Sequence, residues 1–210
     1  MHGIIHYETF LLTGILLNLT PGNDTMFILS RSMAQGRRAG VVSALGIGTG
    51  SLIHTLLAAF GLSLILARSL FLFEFIKYAG AAYLFFLGCK MIFGTSGLSV
   101  TGGDPNAGVD YGKVYRAAIL TNVLNPKVDL FFIAFLPQFI DPAYKDTPLP
   151  FLILGASFVT TGTIWCLMLA AFSAALSRLI RRHGKAAGYI QKVCGLTLVA
   201  LGVKVALTTK

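Results

Sequence analysis

Two short stretches decide the reading of this chain: Asn18-Leu19-Thr20-Pro21-Gly22-Asn23-Asp24 and Asn122-Val123-Leu124-Asn125-Pro126-Lys127-Val128-Asp129. Each places a proline inside a long apolar run and an aspartate three residues later. A proline within a helix removes one main-chain hydrogen bond and clashes with the carbonyl four residues back. Pro21 therefore frees the carbonyl of Leu17, and Pro126 that of Asn122. In lipid such groups must find partners or line a wet cavity. Both places read as a helix that stops and restarts, with Thr20 or Asn125 as N-cap and proline at the first helical position.

The surroundings of these breaks are those of a membrane. The chain has 210 residues, of which 55% are hydrophobic and only 12% charged. Its mean hydropathy is +0.77. Soluble domains average about 25% charged residues, so an ordinary soluble enzyme, a disordered chain and a collagen-like chain are all excluded. Apolar runs long enough to cross a bilayer, about 20 residues each, fall at roughly 6–30, 41–67, 70–93, 114–139, 149–176 and 187–207. They are continuous rather than alternating, which disfavours a barrel. The fold expected is an all-α integral membrane protein of six transmembrane helices, the first and fourth broken at proline. The start, Met1 to Glu8, lacks the basic segment of a cleavable signal peptide.

The net charge of +9 is distributed by topology. Arg31, Arg37 and Arg38 follow the first span, Lys90, Lys113 and Arg116 the third, and Arg178, Arg181, Arg182, Lys185 and Lys192 the fifth. The other connections hold little beyond Arg68 and Lys145. The positive-inside bias then puts the three basic connections in the cytoplasm and both termini outside. Nucleic acid is not an expected partner. Cys89, Cys166 and Cys194 have no metal-ligand spacing and read as small buried residues. No metal site and no cofactor is expected, and the motifs of hydrolases and nucleotide-driven pumps are missing. The chain does not read as an enzyme.

The halves repeat. Thr20 to Asp24 matches Asn125 to Asp129, Gly50-Ser51 matches Gly162-Thr163, Ala58-Ala59-Phe60 matches Ala170-Ala171-Phe172, and Leu84, Leu87, Gly88 and Lys90 match Leu198, Leu201, Gly202 and Lys204. The expected units are a first three-helix repeat over 1–93, a flexible cytoplasmic linker over 94–113, and a second repeat over 114–210. Three spans is an odd number, so the repeats must be inverted relative to each other. That plan belongs to secondary transporters, whose site lies near the midplane between repeats.

The candidate site residues follow. Asp24 and Asp129 are carboxylates at midplane, where a charge costs about 2.5–3.5 kcal/mol on insertion scales. They suit a substrate ammonium group or a proton. Lys127, near a helix start where the dipole disfavours a cation, needs an anion: an aspartate of the other half or a substrate carboxylate. Pro21, Gly22 and Pro126 shape the breaks, with Thr20 beside them. Asn18, Asn122 and Asn125 either bond the freed carbonyls or face the substrate. His54 either relays protons or bonds a neighbouring helix. Gly46 and Gly50 suit close helix packing, Trp165 reads as a lipid-facing or packing group, and Glu74 with Lys77 reads as an interfacial ion pair.

Over nearly its whole length the chain resembles the LysE/RhtB-type amino-acid exporters of bacteria. The stretches that carry the resemblance are Asn18 to Asp24, Ala34-Gln-Gly-Arg-Arg-Ala-Gly40, Gly46 to His54, Lys77-Tyr-Ala-Gly-Ala-Ala-Tyr83 with Leu87-Gly-Cys-Lys90, Thr121-Asn-Val-Leu-Asn-Pro-Lys127, and Phe135-Leu-Pro-Gln-Phe-Ile-Asp-Pro142. The resemblance implies export of amino acids driven by an ion gradient, with protons the expected ion. It also implies a bacterial plasma-membrane location. Neutral substrates of the threonine, homoserine or leucine type are the best match. Expected partners are the amino acid, protons, the lipid bilayer and, as an option left open, a homo-oligomer. Members often carry Pro-Gly-Pro at the first break, where this chain has Asn23. A metal-ion exporter of the same fold is the alternative; a transmembrane electron carrier would want paired cysteines in spans one and four, which are missing.

Overall fold

A computed structural model describes residues 3–62 and 109–182 continuously, side chains being described to 173, with isolated helical positions between 75 and 93 and between 192 and 207. The described residues are helical apart from loops and one isolated bridge, Ile4 to Ile140. Helix α1 runs over Tyr7–Leu19 and α2 over Asn23–Leu57, continued by a π-helical turn at Ala58–Leu62. Helix α3 covers Tyr111–Val123 and α4 covers Pro126–Leu130, extended by π and 3-10 turns to Phe139. Helix α5 spans Pro148–Arg182. The segments 23–61 and 148–173 are long and apolar enough to cross a membrane, and α3 with 126–139 makes a third candidate, bent by 46° at Asn125-Pro126.

A straight helix over 23–61 would be about 58 Å long, nearly twice the ~30 Å hydrocarbon core. Gly36 resolves the excess. Its φ of 84° and ψ of 170° fall where only glycine is at ease. Beyond it the chain folds back, since a Cβ on Gly40 would run into the side chain of Ser32. In a straight helix those residues would lie about 12 Å apart. The connection expected over 31–40 is therefore a single residue. Met33, Ala34, Gln35, Arg37 and Arg38 are all adequate helix formers, so helix continues on both sides of the glycine.

The second half of α2 packs closely on α3. A Cβ at Gly46 would stand 2.6 Å from the Tyr115 carbonyl oxygen, and one at Gly50 2.6 Å from Asn122 Oδ1. The expected small-residue face is thus a packing face. Helix α3 starts at Tyr111, because the Asp110 side chain accepts from the Lys113 N–H at 3.0 Å. That bond holds the exposed Asp110 carboxyl below its ordinary range. Arg38 lies 4.8 Å from the Tyr111 ring centre, so the Gly36 turn and the start of α3 form one basic end. At the other end Ile5 N–H donates to the Phe139 carbonyl, and Asp141 N–H to that of Gly3. Residues 3–5 therefore share a side with the connection after α4.

The interior holds aromatic packing and, beside it, buried polar groups. Phe10, Phe131, Phe132, Phe135, Phe139 and Phe158 form the larger cluster, with Phe131 and Phe158 stacked at 4.6 Å. Apolar side chains also face outward: Leu12, Leu57, Phe60, Leu124 and Phe172 are all exposed. Asn122, Asn125, Lys127 and His54 are buried instead. This inside-out arrangement is the one a bilayer favours.

The spans expected at 70–93 and 187–207 fall mostly outside the described residues. So do residues 94–108 of the linker, Glu74, Lys77 and Cys194. The positions described there are helical, and a Cβ on Gly88 would meet the Gly195 carbonyl oxygen at 2.6 Å.

The Gly36 turn yields a test. Gly36→Ala has open space for its methyl group yet forces an unfavourable backbone, which costs about 1–3 kcal/mol. Gly61→Ala also meets open space, without a positive φ. Thermal unfolding in detergent should show Gly36→Ala melting lower and Gly61→Ala no lower than the wild type; equal melting of the two variants would refute the strain.

Candidate functional site

The two breaks stand side by side, and each exposes helix ends to the other. At the second, Asn125 is the N-cap as expected: its Oδ1 accepts from the Lys127 N–H at 3.2 Å, with Pro126 at the first helical position. The first break differs from expectation. Thr20 ends α1 rather than starting α2, and its hydroxyl donates back to the Leu16 carbonyl at 2.8 Å. Gly22, in extended conformation, precedes α2. The hydroxyl can donate where the asparagine Oδ1 can only accept, so it bonds a helix end rather than a helix start.

The freed carbonyls find partners across the molecule. Lys127 Nζ donates to the Leu17 carbonyl at 3.1 Å and to that of Thr20 at 3.0 Å. The ammonium thus sits at the C-terminus of α1, where the helix dipole favours a cation. Helix-end carbonyls thus take two of its protons, and the ammonium charge also acts on Asp24 of the other half, one of the anions expected for it. The Asn122 carbonyl, which loses its helical partner at Pro126, accepts from the Asn125 N–H at 2.9 Å and also meets His54 Nε2 at 3.2 Å. The asparagine side chains do not serve the freed carbonyls. Asn122 Nδ2 donates to Asp24 Oδ2 at 2.9 Å, and Asn18 Nδ2 to Thr161 Oγ1 at 3.3 Å.

Asp24 and Asp129 have separate surroundings. Asp24 is held by Asn122, and the charges of Lys127 and His54 act on it. Asp129 Oδ1 stands 3.3 Å from His54 Nδ1; the aspartate side chain is 38% exposed and the histidine 5%. His54 stacks on Phe132.

A cavity of about 20 Å³ opens between the breaks, lined among others by Asn18, Asp24, Ile47, Ser51, Asn122, Lys127, Val128, Phe158, Thr163, Trp165 and Cys166. That is room for about one water molecule. Two groups on its wall, Asp24 Oδ1 and Trp165 Nε1, are buried without a hydrogen-bond partner. Trp165 packs against the smaller apolar cluster, as one of its two expected roles had it, and also lines the cavity. Ser51, Thr163 and Cys166 were also missed as site candidates. Ser51 and Thr163 had a signal, since they occupy matched positions of the repeat. Of the expected residues, Asp24, Lys127, Asn18 and Asn122 line the cavity. Thr20, Pro21, Gly22, Asn125 and Pro126 shape its breaks, and His54 and Asp129 stand beyond Asn122. Among the described residues no three His, Cys, Asp or Glu side chains gather as a metal site.

Lys127→Met removes the donor from two buried carbonyls, which costs about 2 kcal/mol for a charged donor. A lowered melting temperature in detergent is expected; unchanged melting would show that the ammonium does not hold the end of α1.

Comparison with known proteins agrees with this geometry. The family model described as LysE type translocator matches residues 15–209. An uncharacterized membrane protein of Pseudomonas aeruginosa is 33% identical, with 99% of this chain and 97% of the relative covered. An uncharacterized membrane protein of Bacillus subtilis is 30% identical, over 99% and 100%. A leucine efflux protein of Salmonella typhimurium is 29% identical, over 98% and 96%. No solved structure matches. With broken apolar helices around a buried polar cavity, and a family match over nearly its full length, the chain is a membrane protein belonging to the LysE-type translocator family.

Proposed function

We propose that the chain exports amino acids from the cytoplasm across the bacterial inner membrane, by proton antiport with alternating access. The best-supported substrates are neutral ones with an aliphatic side chain, of the threonine, homoserine or leucine type. The observation that carries this reading is the pair of orphaned groups on one cavity wall. Asp24 Oδ1 and Trp165 Nε1 have no partner at ordinary hydrogen-bond geometry, and among the described residues the Asn125 amide, itself unpaired, is the one protein group that acts on Asp24 as a further donor. A zwitterion supplies both partners, its ammonium to Asp24 and its carboxylate toward Trp165 and Lys127. Ile47, Val128 and Phe158 offer apolar surface for the side chain. The leucine efflux protein among the relatives supports the same substrate class.

The six-helix inverted repeat is part of the proposal, with units at 1–93 and 114–210. It is supported by reciprocal contacts: Gly50 lies against Asn122 and Gly162 against Asn18, so each half's glycine meets the other half's broken helix. Both termini are placed outside. The basic end formed by the Gly36 turn and the start of α3 faces the cytoplasm, by the positive-inside bias.

A cavity of about 20 Å³ is too small for an amino acid. The halves must part to load or release it, as rocking of one repeat against the other would do. Cys166 reports on this motion, being buried on the cavity wall. In a Cys89→Ser, Cys194→Ser background, labelling of Cys166 by a small thiol reagent should change in rate when a transported amino acid is added.

The decisive experiment loads cells overproducing the chain with a panel of labelled amino acids and follows outward flux. Gradient-dependent efflux of one neutral group is expected, lost in Asp24→Asn and in Asp129→Asn with membrane insertion intact. Undiminished export in both variants would sink the site. Absence of amino-acid efflux would sink the substrate class and put metal ions next.

A further inference from the structure

The two aspartates of the site are joined by a chain of polar contacts. Asp24 Oδ2 accepts from the Asn122 side chain at 2.9 Å. The carbonyl of that same residue meets His54 Nε2 at 3.2 Å. The other ring nitrogen, Nδ1, stands 3.3 Å from Asp129 Oδ1. The path runs through the main chain at the second break.

Donor and acceptor parity fixes how many protons this arrangement holds. A carbonyl oxygen has no proton to give, so Nε2 carries the one in the contact with Asn122. A neutral imidazole has a single N–H, which leaves Nδ1 as a bare lone pair. A lone pair facing an ionised carboxylate oxygen at 3.3 Å is repulsive. One more proton between His54 and Asp129 removes that repulsion. It belongs either to a doubly protonated ring beside an ionised carboxylate, or to a protonated carboxyl beside a neutral ring. Both distributions hold the same total: one proton above neutral histidine plus carboxylate.

The geometry points to His54 and Asp129 as the pair that carries the coupled proton, with Asp24 left as the carboxylate that binds the substrate ammonium. This rests on the proton-coupled exporter reading above. Asp129 is the exposed member and His54 the buried one, so protons enter at Asp129. The histidine ring is held in plane by its stack on Phe132. Among the described residues the other ionisable groups nearby are Asp24 on α2, Lys127 on α4 and Cys166 on α5, all gathered at the cavity beyond Asn122.

Removing the proton leaves one N–H for two acceptors. A hydrogen bond to an ionised carboxylate is roughly twice as strong as one to a neutral carbonyl. The N–H then goes to Asp129, and the lone pair of Nε2 faces the Asn122 carbonyl and pushes it away. Asn122 lies at the break, and its side chain holds Asp24. Proton loss at the pair is thus transmitted to the ammonium site through one hinge residue, without a proton ever moving to Asp24. Coupling is reciprocal, so substrate bound at Asp24 must favour proton release from the pair.

The test is a pH series on the purified chain in lipid bilayers, with nitrogen-15-labelled histidine and His54 assigned by its loss in His54→Gln. At low pH the His54 Nε2 resonance should be that of a protonated nitrogen. Raising the pH should shift the proton to Nδ1 in one step, and that step should vanish in Asp129→Asn. In parallel, leucine binding should tighten in the wild type as pH rises through the same step. The pH dependence should flatten in His54→Gln and in Asp129→Asn, whatever their absolute affinity. An Nε2 unprotonated at every pH, or a full pH dependence of binding in Asp129→Asn, would overturn the assignment. A chain that binds no leucine counts against the substrate reading alone, because the nitrogen spectrum decides the pair by itself.

Discussion

The structure depends on satisfying main-chain carbonyls that two prolines deprive of their usual helical partner within apolar surroundings. An unsatisfied polar group in a bilayer costs several kcal/mol; the N–H groups of Thr20 and Asn125 give the Leu17 and Asn122 carbonyls a local donor, and each break gains a second from elsewhere. Lys127 answers the first break from α4, and His54 answers the second from α2. Both donors are side chains able to carry positive charge, and both are buried. Charge has thereby been brought to the centre of the molecule for a structural reason. Asp24 and Asp129 lie within reach of these groups. The ionic character of the candidate site is a consequence of mending the helices.

The breaks also decide what surrounds the cavity. A helix that stops in mid-membrane presents its terminal carbonyls, and one that restarts presents its N–H groups. Lys127 belongs to a restarting helix but reaches the end of a stopping one, so it ties α4 to α1 across the middle of the protein. Glycines permit the approach: a Cβ at Gly22 would stand 3.4 Å from Lys127 Nζ, and Gly50 and Gly162 leave room for Asn122 and Asn18. The glycines matched between spans two and five are therefore sockets for the polar groups of the broken helices.

Much of this was legible in the sequence because proline chemistry is local. Pro21 and Pro126 name the carbonyls they free, and Asn125 with Pro126 spells a helix start, which the structure has. What was not legible depends on distant partners. Nothing local tells that the Thr20 hydroxyl bonds backward to Leu16, or that Lys127 reaches a helix end. The Gly36 turn was hidden because helix formers flank it, so the boundary looked several residues wide. Trp165 looked like a lipid-facing or packing residue and Cys166 like a small buried one, since hydropathy cannot separate an apolar residue facing lipid or core from one facing a cavity. Ser51 and Thr163 were visible in the repeat but lacked charge to draw notice.

On the proposed reading, the same bonds that close the molecule explain why an empty transporter stays closed. Parting the halves would pull the Lys127 ammonium from the carbonyls of Leu17 and Thr20, and each such charged hydrogen bond is worth about 1.5–3 kcal/mol. With nothing in their place, that loss opposes opening. A substrate carboxylate is a stronger acceptor than a carbonyl, because both partners are then ionised. It can take the ammonium as the carbonyls release it. Opening then exchanges one set of partners for another, and the carbonyls turn to the water that enters. A neutral solute of the same size offers no such exchange. Selectivity for a zwitterion and resistance to leak would therefore come from one lysine, placed where a helix end holds it until a better anion arrives.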